Sequence, residues 1–279
     1  MSYENFNQKV WAAGIDRELE RSCVFVADTN QKYTGSIKNK GDSVRILGVG
    51  RPTITDWDAD TDITLLDPEK VEDTSTTLIV DRVATFNYGV GDIDKAQGAN
   101  GVMEALNAET SEGIANKMDK FVADMSKDKQ AKKLWAQAKQ VTADNVLSLI
   151  DEALEHLYEM DVNPSGLITI TVSPKFFTRL KQGYIHTDTD NSAMMKNGQV
   201  SRYGNAIIRL SNNVAKDSQG NELIQVKTQR AIAFAKAVAH TEPYRPEKKF
   251  EDAVKGFVLY GGKIVRPKEM INMNVKYTA

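Results

Sequence analysis

The 279-residue chain has one cysteine, Cys23, and three histidines, His156, His186 and His240. A single cysteine excludes an intramolecular disulfide and any cysteine-rich zinc site. The scattered histidines form no HExxH pair, and neither a G-x-S-x-G turn nor a Walker loop occurs. Long apolar runs are missing too. The stretch Ala231 to Ala239 is interrupted by Lys236 and falls far short of the roughly 20 residues that a bilayer-spanning helix needs. The start, Met1-Ser2-Tyr3-Glu4-Asn5, has no basic and no apolar region, so no secretory signal is read there. Nor is there an excess of one charge: 36 Lys and Arg face 38 Asp and Glu, a formal charge of -2. A protein that grips phosphates tightly carries a basic excess, at least on one face. None is visible along this chain.

What remains is ordinary folded-protein composition, 41% hydrophobic and 27% charged, which excludes global disorder. The length allows two domains or one elaborated one, and the cytoplasm is the natural compartment for synthesis. Val10, Trp11, Ile15, Leu19, Cys23 and Val26 recur at helical spacing and predict an amphipathic terminal helix. Such a helix packs either on its own domain or on a neighbouring subunit. From Tyr33 to Tyr88 the character is β. Asn39-Lys40-Gly41-Asp42 before Val44-Arg45-Ile46 is a hairpin signal, Thr53 to Trp57 is a second strand-like run, and Thr76–Val80 and Val83–Tyr88 are the return. A long two-stranded excursion is marginal alone and has to lie against something.

Residues 92 to 127 read as one long helix with Met103, Leu106, Ile114, Met118, Phe121, Val122 and Met125 on its stripe, followed by a charged, helix-compatible connector from Lys127 to Lys139. Thr142 is the expected cap of a helix carrying Val146, Ile150, Ala153 and Leu157 and ending at Asn163-Pro164-Ser165-Gly166. Leu167–Val172 reads as a buried strand, and Ser173-Pro174 as the start of another helix. Gly183 to Gly198 is polar and loop-like. Ile207 to Leu210, Gln225 to Thr228 and Ala231 to Ala239 supply further elements, with a turn at Asp217–Asn221. Phe257 to Tyr260, Gly261-Gly262 and Ile264-Val265 read as a closing hairpin.

No group of residues stands out as a chemical site. Asp56, Asp58, Asp60 and Asp62 hold positions 1, 3, 5 and 7 of a calcium loop, but Thr61 replaces the required Gly and Asp67 the bidentate Glu, so a solvated acidic loop is expected. Gly89-Val90-Gly91 and Gly48-Val49-Gly50 lack the rest of a phosphate motif and read as strand ends. His156, with Glu152, Glu155 and Glu159, reads as a solvated helix face, and His186 with Asp188 and Asp190 as a turn.

Four stretches carry a wider resemblance. They are Gly35 through Ile46, Val90 through Gln97, Leu210-Ser211-Asn212-Asn213-Val214, and Tyr244-Arg245-Pro246 with Phe250, Gly256 and Tyr260 through Pro267. Their colinear order, from Trp11 to Pro267, resembles the major capsid (coat) proteins of tailed bacteriophages, which share the Hong Kong 97 fold. The resemblance implies an α+β chain: an N-terminal arm (1–32), an extended β-hairpin loop (33–90), a peripheral domain with a long spine helix (91–140), an axial α/β domain (141–240), and C-terminal strands (241–279) returning to the peripheral domain. It implies a structural protein, not an enzyme, with no catalytic, cofactor or metal residues.

Its partners would be its own copies, in pentamers and hexamers of an icosahedral head around double-stranded DNA, together with a portal. The arm begins almost at Met1, so any scaffolding protein is expected to be separate. DNA would be contacted weakly and non-specifically, and no membrane is involved. The shell would be assembled in the host cytoplasm and end in the virion. Trp11, Ile15 and Leu19 in the arm, and Trp57 and Ile63 in the excursion, are the expected inter-subunit anchors, since aromatic side chains are enriched at such contacts. Packing of Trp57 within its own hairpin is the alternative. Lys40, Lys70 and Lys95 are present, but none is assigned to a cross-link. Two other functions compete: an encapsulin-type compartment shell, and a metal-dependent soluble enzyme using the acidic loop.

Overall fold

The computed structural model describes residues 23–34, 43–49, 73–91, 102–186 and 202–277. Strand β1 (Ser43–Val49) runs antiparallel to β2 (Asp73–Ile79), with Ser43 opposite Ile79 and Val49 opposite Asp73. The turn expected at Asn39–Asp42 lies outside the described residues. The strand that follows it finds its partner beyond the acidic stretch. Val80 and Asp81 then link the hairpin to β3 (Arg82–Gly91), which joins a different sheet.

Helix α1 (Val102–Asp124) would extend about 35 Å at 1.5 Å per residue. Ile114, Ala115, Met118 and Val122 are buried along one face, as their spacing predicts. The connector after it is not helical. It turns through Met125–Lys127 and forms two short strands, β4 (Lys132–Lys133) and β5 (Lys139–Gln140). Two effects stop the helix. Its free carbonyls are taken by sheet side chains: Gln225 Nε2 donates to the carbonyls of Val122 (3.0 Å) and Ala123 (3.2 Å) and to Ser126 Oγ (2.7 Å). Asn272 Nδ2 donates to Ser126 O (3.1 Å). Beyond that point the lysine-rich connector lacks an apolar stripe, and its backbone bonds a strand edge instead, Leu134 N to Asn272 O (2.9 Å) and Val141 N to Lys276 O (3.0 Å).

Helix α2 (Val146–Glu159) buries Val146, Ile150, Ala153 and Leu157 as expected. Thr142 does not cap it. Asn145 Oδ1 accepts the Thr142 N–H (2.8 Å) while Asn145 Nδ2 donates to Gln140 O (2.9 Å), so Thr142 belongs to a preceding turn. Strand β6 (Ile168–Val172) is buried throughout. Ser173 Oγ then accepts the Phe176 N–H (3.2 Å) and Pro174 opens α3 (Pro174–His186), as the sequence predicts.

The remaining strands are β7 (Arg202–Tyr203), β8 (Ala206–Leu210), β9 (Ala215–Lys216), β10 (Glu222–Thr228), β11 (Ile232–Tyr244), β12 (Glu251–Ile264) and β13 (Met270–Lys276). The Asp217–Asn221 turn is as expected, closed by Asp217 accepting the Gln219 and Asn221 N–H groups.

Beyond the β1–β2 pair there are two larger sheets. One has eight strands in the order β4-β13-β10-β6-β8-β7, with β5 also on β13 and β9 on β10. The other is β11-β12-β3, antiparallel throughout. Of the closing strands, β12 therefore lies beside β3, while β13 enters the eight-stranded sheet. One hydrophobic core runs from α1 through α2, α3 and both larger sheets, including Val122, Leu157, Ile170, Phe176, Phe234 and Met273.

Candidate assembly junction

Two places matter for a chain expected to project an arm and a hairpin: where each joins the body. The hairpin root is held by its own apolar residues. Ile46, Leu78 and Val80 pack with Ala233, Ala235 and Leu259 of the three-stranded sheet. Their alternation along β1 and β2 brings them to one face. Gly261-Gly262, read as a turn, lies instead inside the continuous strand β12. A Cβ at Gly261 would sit 2.4 Å from Ile79 O and 2.8 Å from Val80 Cα. A Cβ at Gly262 would sit 2.6 Å from Met125 Cε. Neighbouring strand residues face opposite ways. The pair thus admits the hairpin root on one side of β12 and the end of α1 on the other. Close approach of two backbones is the second use of glycine in strands.

The segment Cys23–Thr34 is where the expected arm would join the body. Cys23 and Val26, counted in the predicted helix, are not helical: Cys23 has no regular structure and Val26 lies in a turn. The reason is Asp119, from the middle of α1. Its Oδ2 accepts the Val24 N–H (2.7 Å) and its Oδ1 the Val26 N–H (3.1 Å), which diverts these amides from helical bonding. Phe25 and Val26 are buried. Further on, Asn30 N donates to Ile232 O (2.9 Å) and Phe234 N to Asn30 O (3.0 Å), tying the segment to β11.

Charges converge beneath this segment. Arg209 of β8 pairs with Asp28 at 2.8 Å. Lys227 of β10 is completely buried, and its ammonium has no hydrogen-bond partner among the described residues. Burial pushes the Asp119 and Asp28 carboxyls up, against the stabilising hydrogen bonds on Asp119 and the Arg209 charge on Asp28. Burial pushes Lys227 down to about 8, with Asp28 and Asp119 opposing the shift. Cys23 is pushed up to about 12 by burial and then by the Asp119 charge, which keeps it a thiol rather than a reactive thiolate.

A pH dependence follows from Lys227. Its folded value lies below the ordinary 10.5. Between about pH 8 and pH 10.5 the unfolded chain therefore holds a proton that the folded chain has released, and stability rises with pH across that window. The two acids shift the other way, raised by burial. Urea unfolding at pH 8 and pH 10 should show Lys227 contributing a gain of up to about 3 kcal/mol. A Lys227→Met protein should lack it. Tyr88, Tyr260 and Tyr277 titrate in both proteins, so the difference between them isolates Lys227. Equal pH slopes in the two proteins would remove the claim.

The sequence-read chemistry is dispersed. His156 lies 3.6 Å from Glu159, while Glu152 turns away to accept from Lys139 Nζ (2.7 Å) and Trp135 Nε1 (2.9 Å). These hydrogen bonds, Lys139's first, hold Glu152 below its usual range. Among the described residues no three His, Cys, Asp or Glu side chains gather to hold a metal. Gly89-Val90-Gly91 lies in β3 opposite Ala253, Asp252 and Glu251, a strand end as read. The acidic stretch 56–67 and Asp188 and Asp190 lie outside the described residues, as do Trp11, Ile15, Leu19, Trp57 and Ile63. Sequence reasoning missed Asp119 and Lys227. The one signal for Lys227 was a lone charge after Leu223-Ile224-Gln225-Val226, while Asp119, between Lys117 and Lys120, had none.

The overall fold recurs in solved structures. A chain from Mycobacterium phage Che8 matches with a TM-score of 0.74 and 27% identity over 90% of each chain. The capsid of Cyanophage P-SCSP1u matches at 0.68, with 14% identity over 90% of this chain and 86% of that one. The mature capsid of bacteriophage PhiM1 matches at 0.65, with 16% identity over 92% and 87%. No family model matches the chain, and no curated protein matches it. The resemblance to phage capsid proteins read from the sequence is borne out, and the mixed α/β architecture matches theirs.

Proposed function

We infer that this chain is a bacteriophage major capsid protein, and that its copies form the pentamers and hexamers of an icosahedral head enclosing double-stranded DNA. The observation that supports this reading is one fold shared, over about nine-tenths of this chain, with the Che8 phage chain at 27% identity and with the capsids of P-SCSP1u and PhiM1. The role is structural, and its physical work is done by interfaces. Rings of identical subunits need patches that repeat around an axis, and stable contacts bury on the order of 1,600 Å² in total.

The junctions described above suit that task. A hairpin clamped at its root by Gly261, Ala233 and Ala235, and an arm root clamped by Asp119, let projecting segments transmit force to the body. Trp11, Ile15 and Leu19 of the arm and Trp57 and Ile63 of the hairpin are the proposed anchors on neighbouring subunits. A portal and a separate scaffolding protein complete the assembly in the host cytoplasm. The near-neutral charge suits a wall that holds DNA without gripping it. Maturation is then a rearrangement of subunits biased by DNA filling or scaffold loss, with the hairpin and α1 as the moving parts.

Negative-stain microscopy of the purified chain, alone and with its scaffold, tests the reading. Regular shells tens of nanometres wide are expected. A strictly monomeric species at high concentration under both conditions would overturn it. Nuclease-protected DNA in particles from infected cells, rather than protein cargo, separates a genome container from a compartment shell.

A further inference from the structure

The chain as a whole has no basic excess, but the fold gathers one at an edge of the eight-stranded sheet. Residues 127–139 contain Lys127, Lys129, Lys132, Lys133 and Lys139 against one acid, Asp128. That acid is used in its own turn: its Oδ1 accepts the Gln130 N–H (3.0 Å) and its carbonyl the Ala131 N–H (3.0 Å). Two of the lysines are also engaged. Lys127 pairs with Asp124 at 2.6 Å, and Lys139 bonds Glu152 at 2.7 Å with its ammonium 4.4 Å from the centre of the Trp135 ring. Lys129, Lys132 and Lys133 are exposed and form no ion pair among the described residues. Lys133 lends its charge to Asp217, whose carboxylate already accepts the Gln219 and Asn221 N–H groups.

The sheet holds these lysines in place. Strand β4 carries Lys132 and Lys133 and is the outermost strand on its side among the described residues, with β13 inside it. Lys132 stands opposite Ile271 and Lys133 opposite Asn272, so the two side chains flank the edge from its two faces. Leu134 N donates inward to Asn272 O, so the Lys133 N–H before it points outward. The edge thus offers one backbone donor and three ammonium groups. Lysines on an edge keep further strands from adding there, which excludes a β-strand as the occupant. A phosphate backbone meets no such barrier, because it accepts from lysines and from backbone N–H groups alike. Among the partners of the shell reading, duplex DNA carries this chemistry, with one negative charge per about 1.7 Å of helix axis.

We propose that Lys129, Lys132 and Lys133 form a contact for the phosphate backbone of duplex DNA, read without base preference. The proposal rests on the shell-forming reading and assigns this sheet edge to the inner wall. Three contacts per copy are weak, and their repetition in every subunit supplies the hold.

Salt dependence tests the chemistry on the unassembled subunit, without a shell. Binding to a fluorescent duplex of about 20 base pairs should weaken with salt, by about 0.9 in log affinity per log unit of salt for each phosphate neutralised. Lys129→Gln with Lys132→Gln and Lys133→Gln should make that slope shallower by about 2.7, the share of three phosphates. Thermal unfolding should barely change, because all three side chains are exposed. An unchanged slope, or a parent subunit that binds no duplex at low salt, overturns the proposal.

Lysine acetylation tests the placement. In DNA-filled particles the three lysines should be shielded, and in the same particles emptied of DNA they should react. Equal reactivity in both, whether high or low, overturns the proposal. So does shielding that is present in DNA-free shells and lost with their scaffold, which would give the edge to an acidic protein. A chain that binds the duplex but forms no particles counts instead against the shell reading.

Discussion

Replacing Asp119 by alanine should lower the stability of the unassembled subunit by about 3–5 kcal/mol, the range for removing one partner of a buried charge group. The carboxylate does two things that alanine cannot. It accepts two backbone amides of the arm root, Val24 and Val26. It also supplies one of the two negative charges facing the buried Lys227 ammonium. Alanine would strand two donors and a cation away from water. Asp119→Asn should fall between the two proteins, because one oxygen still accepts an amide while the new NH2 group confronts the other. Urea unfolding checks the order, with a lowered midpoint and an unchanged slope if only stability moves. Limited proteolysis should show earlier cleavage within residues 23–34 of the alanine protein. A midpoint equal to the parent's would mean that the clasp contributes nothing.

Gly261→Val should both destabilise the fold and abolish assembly. The new Cβ would lie 2.4 Å from the Ile79 carbonyl oxygen and 2.8 Å from Val80 Cα. These are backbone atoms at the two-residue link between hairpin and sheet, so no rotamer change relieves the overlap. Overpacking of this kind costs about 1–3 kcal/mol or more. The loss of shells should exceed what that figure explains, because the only relief is to lever the hairpin root off β12. Shell yield compared at matched subunit stability separates the two effects. Normal shells from a destabilised variant would show that hairpin orientation does not matter.

Features that depend on near neighbours were legible in the sequence. Ser173-Pro174 opens a helix by a bond three residues long, Asp217 closes a turn over four, and Ile168–Val172 is apolar enough to need no context. Features that depend on distant partners were not. Thr142 looks like a cap until Asn145 is seen to bind its amide. Gly261-Gly262 looks like a turn until β2 and α1 are placed on either side of β12. The apolar stripe of the terminal helix counts Cys23 and Val26, because nothing nearby reveals an acid 93 and 95 residues further on that takes the amides. Overall kinship was readable because it rests on the order of many weak signals rather than on one local bond.

Strand β13 lies inside the eight-stranded sheet, with β10 on one side and β4 and β5 on the other. Residues 132–133 and 139–140 thus wait for residues 270–276 before they can pair, and β10, already beside β6 and β9, gains its other long neighbour only then. On the ribosome the sheet cannot close until that last strand has emerged, and pairings so far apart in sequence form slowly. A nascent chain that stops short of Met270 therefore lacks the strand that joins β10 to β4 and β5, and its core stays open on that side.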